Sequence, residues 1–263
     1  MTDLYLMMLL WVRNIILIGT GIVLLVVGIL ITTNKIKPTR ILGIAFIISA
    51  VTSLISRSTG LLMRYGNVET FARTSSATSV IVFAGSIAAT LCVCIFLHKR
   101  YGSKFVYIPL LLLPLVSRFA SVIVTSALNG SGVSSSELGY WISLVYNINS
   151  LVTEIAAALI IIIILYKNSS KEDLIPKTWA LRTITLIWNC FVTGVTVTTY
   201  CANLAKIKAG SNEVTTFASS WLMNSDSLGL LVEMISGFVA LIIPIYVLVM
   251  IVKASKSMNG ETA

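Results

Sequence analysis

Seven apolar runs, each long enough to cross a lipid bilayer, leave little else in this chain. They fall near residues 5–32, 41–63, 76–97, 105–128, 139–166, 179–204 and 227–252, separated by short charged or Gly/Ser/Asn-bearing breaks. About 20 mostly apolar residues rising 1.5 Å each cross the hydrocarbon. Backbone groups in lipid must bond within their own segment, so such runs read as helices. Composition agrees, with 57% hydrophobic residues, 11% charged residues and a mean hydropathy of +0.95. The expected fold is all-α: an integral membrane bundle of seven transmembrane helices making a single domain over residues 1–263. The longest connectors, from about Tyr166 to Lys177 and from about Ala205 to Asp226, leave no room for a soluble domain.

The net charge of +9 reports orientation here, not nucleic-acid binding, because the basic residues punctuate apolar spans and form no face of a soluble module. Assigning alternate connectors to opposite sides gathers Lys35, Lys37, Arg40, Lys99, Arg100, Lys104, Lys167, Lys171, Lys177, Arg182, Lys253 and Lys256 together. Arg64, Arg73, Lys206 and Lys208 fall on the other side, with most of the loop acids. The positive-inside rule then expects the N-terminus outside and the C-terminus in the cytoplasm, with the plasma membrane as the setting. The opening "MTDLYLMMLLWVRN" has an acid before its apolar run and no basic n-region, so the first helix is expected to be retained.

Five ionisable residues remain inside the spans: Arg13, Arg57, Arg118, Glu154 and Glu233. A charge at mid-bilayer costs roughly 2.5–3.5 kcal/mol even on the lenient insertion scale, so such groups face other helices or water. Their neighbours lie on polar stripes at helical spacing. The fifth span carries Ser143, Asn147, Ser150 and Glu154. The sixth carries Arg182, Thr185, Asn189, Thr193, Thr196, Tyr200 and Asn203. Shorter stripes are Ser79, Ser86 and Thr90 in the third span, Arg118, Ser121 and Thr125 in the fourth, and Asp226, Glu233 and Ser236 in the seventh.

With the expected orientation, Arg13, Arg57, Arg64, Arg118, Asp226 and Glu233 share the outer half and Glu154 lies near the midplane. One outward-facing polar cavity is therefore expected, with Glu154 near its floor and Arg118 paired to Glu154 or Glu233. Arg57, Arg118, Asn147, Glu154, Asn189, Tyr200 and Glu233 are the expected ligand-binding residues, and surplus arginine favours a small anionic or zwitterionic ligand. The competing expectation is an ion-pair network that only fixes helix register.

Enzyme chemistry is not expected. His98 is the sole histidine, no H-E-x-x-H, G-x-S-x-G or Walker sequence occurs, and no nucleophile accompanies the two in-span carboxylates. No metal or cofactor is expected. A retinal protein would need a lysine in the middle of the seventh span, whereas Lys253 lies at its inner end. Three functions fit what remains. The first is a receptor or sensor that binds a small ligand from outside and passes a helix shift to a cytoplasmic or membrane protein partner. The second is a transporter or channel subunit, and the third a structural subunit of a membrane complex. Besides the lipid bilayer and the small ligand or solute, such a protein partner is expected; nucleic acid is not.

Overall fold

A computed structural model describes residues 2–34, 36–65, 68–130, 132, 135–169, 174–209 and 225–258. Its side chains are described over 8–34, 36, 39–58, 77–130, 132, 137–169, 174–202, 204–205 and 230–257. Among these residues the secondary structure is helical throughout: α1 (Thr2–Thr33), α2 (Lys37–Tyr65), α3 (Val68–Tyr101), α4 (Tyr107–Asn129), α5 (Ser135–Lys167), α6 (Thr178–Ala209), α7 (Ser225–Val239) and α8 (Ile242–Met258). A single 3-10 turn, Lys104–Val106, precedes α4. Seven stretches are long and apolar enough to cross a membrane, in register with the seven expected spans.

The seventh apolar stretch is shared by two helices. α7 stops at Val239 and α8 starts at Ile242, with Leu241 N–H turning back to the Phe238 carbonyl at 3.0 Å. Pro244 explains the interruption: it has no N–H to give the Ala240 carbonyl, and its ring crowds that carbonyl out of the helical ladder. Pro114, by contrast, sits inside a continuous α4.

The helices form a closed ring. Each packs on its chain neighbour from α1 to α6, α6 meets both α7 and α8, and these return to α1. Contacts show that successive spans run antiparallel. Gly21 and Gly28 of α1 meet Leu54 and Ile47 of α2, and Arg118 of α4 reaches Ser79 of α3. Between α5 and α6, Tyr140 stacks on Tyr200 at one end and Tyr166 on Trp179 at the other. The Lys-rich connectors consequently share one end, here called the basic end.

Packing is uneven around the ring. It is most extensive within α1–α2–α3 and within α4–α5–α6, while α3 against α4 and α6 against α7 and α8 are sparser. The ring thus divides into one body of α1, α2, α3, α7 and α8 and another of α4, α5 and α6. An apolar core closes the basic end, where Ile31, Leu97, Leu110, Val247 and Ile251 are almost inaccessible.

Glycine allows the tightest crossing. A Cβ on Gly43 would lie 2.7 Å from the Thr32 nitrogen and 2.8 Å from the Gly28 carbonyl oxygen, both backbone atoms that cannot swing aside. Only two hydrogen-bearing Cα atoms let α1 and α2 approach this closely. Gly43→Val should therefore destabilise the bundle by about 1–3 kcal/mol through overpacking. Gly194→Ala, whose Cβ would meet nothing within 4 Å, should be neutral or stabilising by at most about 1 kcal/mol. Thermal denaturation of the two purified variants checks the contrast, and equal losses at both positions would contradict the close approach.

Candidate functional site

Among the described residues, two sizeable cavities lie between the two bodies of the ring. The first, about 680 Å³, is bounded mainly by α3, α4 and α5 and reaches from Ser79, Arg118 and Tyr146 down to Glu154. The second, about 660 Å³, extends from Glu154 toward the basic end among α2, α3, α5, α6 and α8, past Arg182, and ends at Ile175 and Thr178. Ser86, Thr90, Leu110, Glu154 and Ala157 line both. Their sizes fall within the usual range for small-molecule sites.

Glu154 is the junction. Its Oε1 accepts a hydrogen bond from Asn189 Nδ2 at 2.5 Å and faces a terminal nitrogen of Arg182 at 3.7 Å, both on α6. Arg182 stands one turn into α6, so it reaches upward into the bundle and does more than mark the interface. Two unit charges near 4 Å attract by roughly 4 kcal/mol at an effective dielectric near 20. Taking each into mid-membrane costs roughly 2.5–3.5 kcal/mol. The attraction falls about 1–3 kcal/mol short of the two costs together, so this contact depends on the hydrogen bond that Glu154 also accepts from Asn189. Glu154 retains 32% side-chain exposure, which leaves the cavities access to the carboxylate.

Arg118 lines the first cavity but pairs with neither expected carboxylate. One terminal nitrogen reaches Ser79 Oγ at 3.4 Å, and the guanidinium carbon lies 6.0 Å from the centre of the Phe83 ring. Glu233 instead accepts from both Nε and a terminal nitrogen of Arg13. Arg57 lies within electrostatic reach of that pair; its Nε donates to Ser53 Oγ at 3.1 Å, and its buried Nη1 meets no acceptor among the described residues.

The single recess expected across six helices is therefore two groups. Arg118, Glu154, Asn189 and Arg182 surround the cavities; Arg13, Arg57 and Glu233 join α1, α2 and α7. No hydrogen bond or ion pair among the described residues connects the groups. Ring closure is the cause, since it brings α7 against α1, and the Glu233 carboxylate meets Arg13 there before anything on α4. The side chains of Arg64 and Asp226, expected in the same recess, lie outside the described residues.

Two expected site residues stand apart. Asn147 turns its amide onto the Ser143 carbonyl of its own helix at 2.7 Å. Tyr200 packs edge-on against Tyr140, ring centres 6.1 Å apart, toward the end opposite the basic one. The polar residue of α5 that does cross to a neighbour is Asn149, whose Nδ2 donates to the Ser117 carbonyl at 2.6 Å and Ser121 Oγ at 2.8 Å. A shift of two positions turns a helical side chain through about half a circle, and only the location of α4 selects between them.

The long stripe of α6 is similarly divided. Thr185 and Thr196 return their hydroxyls to the carbonyls of Arg182 and Val192, the usual i−3 and i−4 bonds that satisfy such groups without a partner helix. Among the described members, Arg182 and Asn189 reach Glu154 of α5 through polar contacts, and Tyr200 meets α5 only through the Tyr140 ring. The short α3 and α4 stripes fare better, because Ser79, Ser86, Thr90, Arg118 and Ser121 all line the first cavity, whereas Thr125 is not among its lining residues. Among the described residues, no three His, Cys, Asp or Glu side chains gather to hold a metal ion.

Neither a family model, nor a curated protein, nor a solved structure matches this chain.

The separation of the two groups can be measured. Arg13→Gln and Glu233→Gln should be strongly non-additive in a double-mutant cycle, whereas Arg118→Gln and Glu233→Gln should add to within about 0.5 kcal/mol. Unfolding of the three single and two double variants in detergent provides the readout.

Proposed function

We propose that the protein is a membrane carrier for a small anionic or zwitterionic solute, with its basic end in the cytoplasm of the cell. Two cavities stacked through the depth of the bundle and meeting at Glu154 carry this reading. The first cavity receives solute from the outer side, guided by Arg118. At its floor the anion competes with Glu154 for Arg182, or a cationic group of a zwitterion competes with Arg182 for Glu154. Either exchange removes the Arg182–Glu154 ion pair, leaves the Asn189 bond as the remaining polar link between α5 and α6 at the junction, and exposes the second cavity. The sparse seams between the two bodies favour a rocking movement about this fixed point, the usual device of alternating access.

A receptor reading retains one specific support. The apolar core around Leu97, Leu110 and Val247 closes the basic end, and a receptor keeps that end shut while relaying helix movement to a protein partner. In a carrier the same core is the inner gate and opens in each cycle.

Ser86 distinguishes the two, because it borders both cavities. Ser86→Cys in a chain relieved of Cys92, Cys94, Cys190 and Cys201, reconstituted in sealed vesicles, should react with a membrane-impermeant thiol reagent from either side. Arg182→Gln should change the ratio of the two rates. Reaction from the outer side alone would overturn the carrier reading and favour the receptor.

A further inference from the structure

The carrier reading leaves open what kind of solute needs this chamber, and the wall between α3 and α4 bears on it. These two helices pack far less extensively than α2 with α3 or α4 with α5, although they are consecutive in the ring. The first cavity lies directly behind their seam, with Ser79, Val82 and Phe83 on one side and Leu113, Ser117 and Arg118 on the other.

Arg118 stands at the rim of that seam. On α4 its helical neighbours at i−4, i−1 and i+3 are Pro114, Ser117 and Ser121, which line the cavity. Those at i−3, i+1 and i+4 are Leu115, Phe119 and Val122, which are exposed to 38%, 69% and 54% on the apolar outer face. One side chain thus borders both a hydroxyl-lined interior and a hydrocarbon-facing surface. It also lies eleven residues from either end of Tyr107–Asn129, about 16 Å from each, too far for its guanidinium to reach either helix end by stretching along the helix.

A guanidinium at that depth, with no carboxylate partner among the described residues, is held by one long hydroxyl contact and one aromatic face. Both are weak compensation for mid-membrane charge. An anionic group arriving between the helices would supply what is missing. The apolar residues of the same seam would meet an alkyl chain, not a water-soluble body.

We propose that the solute is an amphiphile with an anionic head, a carboxylate or phosphate, whose head enters the first cavity at Arg118 while its tail passes between α3 and α4 into the bilayer. The proposal rests on the carrier reading for the onward movement of the head past Glu154, but the lateral entrance stands or falls separately. Head and tail are divided as the wall is divided: hydroxyls of Ser79, Ser86, Ser117 and Ser121 inside, Val82, Phe83 and Leu113 at the opening.

The test uses the full chain in lipid nanodiscs and a long-chain fatty acid bearing a photoreactive diazirine beside its carboxylate, with the methyl ester of the same probe for comparison. After irradiation, the acid should label peptides containing Val82–Phe83 and Leu113–Ser117 severalfold more than the ester. Arg118→Gln should reduce labelling by the acid to the ester's level, and Arg118→Lys, which keeps the charge, should preserve most of it. Excess acetate should compete poorly. Equal labelling by acid and ester, or labelling indifferent to Arg118→Gln, would overturn the proposal. Effective competition by acetate would overturn it too, by showing that a soluble anion suffices. Should these arms fail while Ser86→Cys still reacts from both sides, the amphiphile is refuted and the carrier stands.

Discussion

Inside hydrocarbon, packing one leucine against another gains almost nothing over packing it against a lipid tail, so helices cohere by close backbone approach and by polar bonds. The two bodies of this ring use the two means in different proportion. α1 and α2 meet at Gly28 and Gly43, where backbone touches backbone. α4, α5 and α6 are joined by amides and charges, Asn149 onto Ser117 and Ser121, Asn189 and Arg182 onto Glu154. A steric fit has one solution, whereas a polar bond can exchange partners. The cavities have formed along the boundary between the fixed body and the exchangeable one.

The two in-span carboxylates consequently differ in what they are free to do. Glu233 is held by two nitrogens of Arg13, and its contact ties the last crossing to the first, which is what closes the ring. Glu154 has a looser arrangement, one amide and a cation at 3.7 Å, with cavity on either side. The first pair fixes register, and on the proposed carrier reading the second governs access.

Much of the architecture was legible in the sequence because length and hydropathy alone decide whether a segment can cross a bilayer. All seven long apolar helical stretches emerged this way, and helical spacing of polar residues picked out Ser79, Ser86, Thr90, Arg118 and Ser121, which line the first cavity. Adjacency was not legible. Which carboxylate Arg118 or Arg13 meets depends on how the ring closes, and nothing local to those residues encodes it. Asn147 and Asn149 illustrate the same gap at finer scale: both are amides on one helix, and only the position of α4 tells which crosses. Arg182 was read as a marker of the basic end, since its nearness to the interface masked the upward reach that one helical turn allows. The glycine contacts of α1 and α2 had a signal in spacing, Gly21 and Gly28 being two turns apart, but small residues are too common in such helices for spacing alone to single them out.

The interruption at Ala240–Leu241 makes the last crossing two levers on a common pivot. The upper lever is fastened to α1 through Glu233 and to α6 through the bond from Trp188 to Ser236; the lower one meets the backbone of Lys177 through the Tyr246 hydroxyl. Torque applied to one need not turn the other. In the proposed carrier cycle, a tilt of α6 about Glu154 would drag the two ends of this helix pair in opposite senses without prising the ring apart, a freedom that an unbroken rod of the same length would lack.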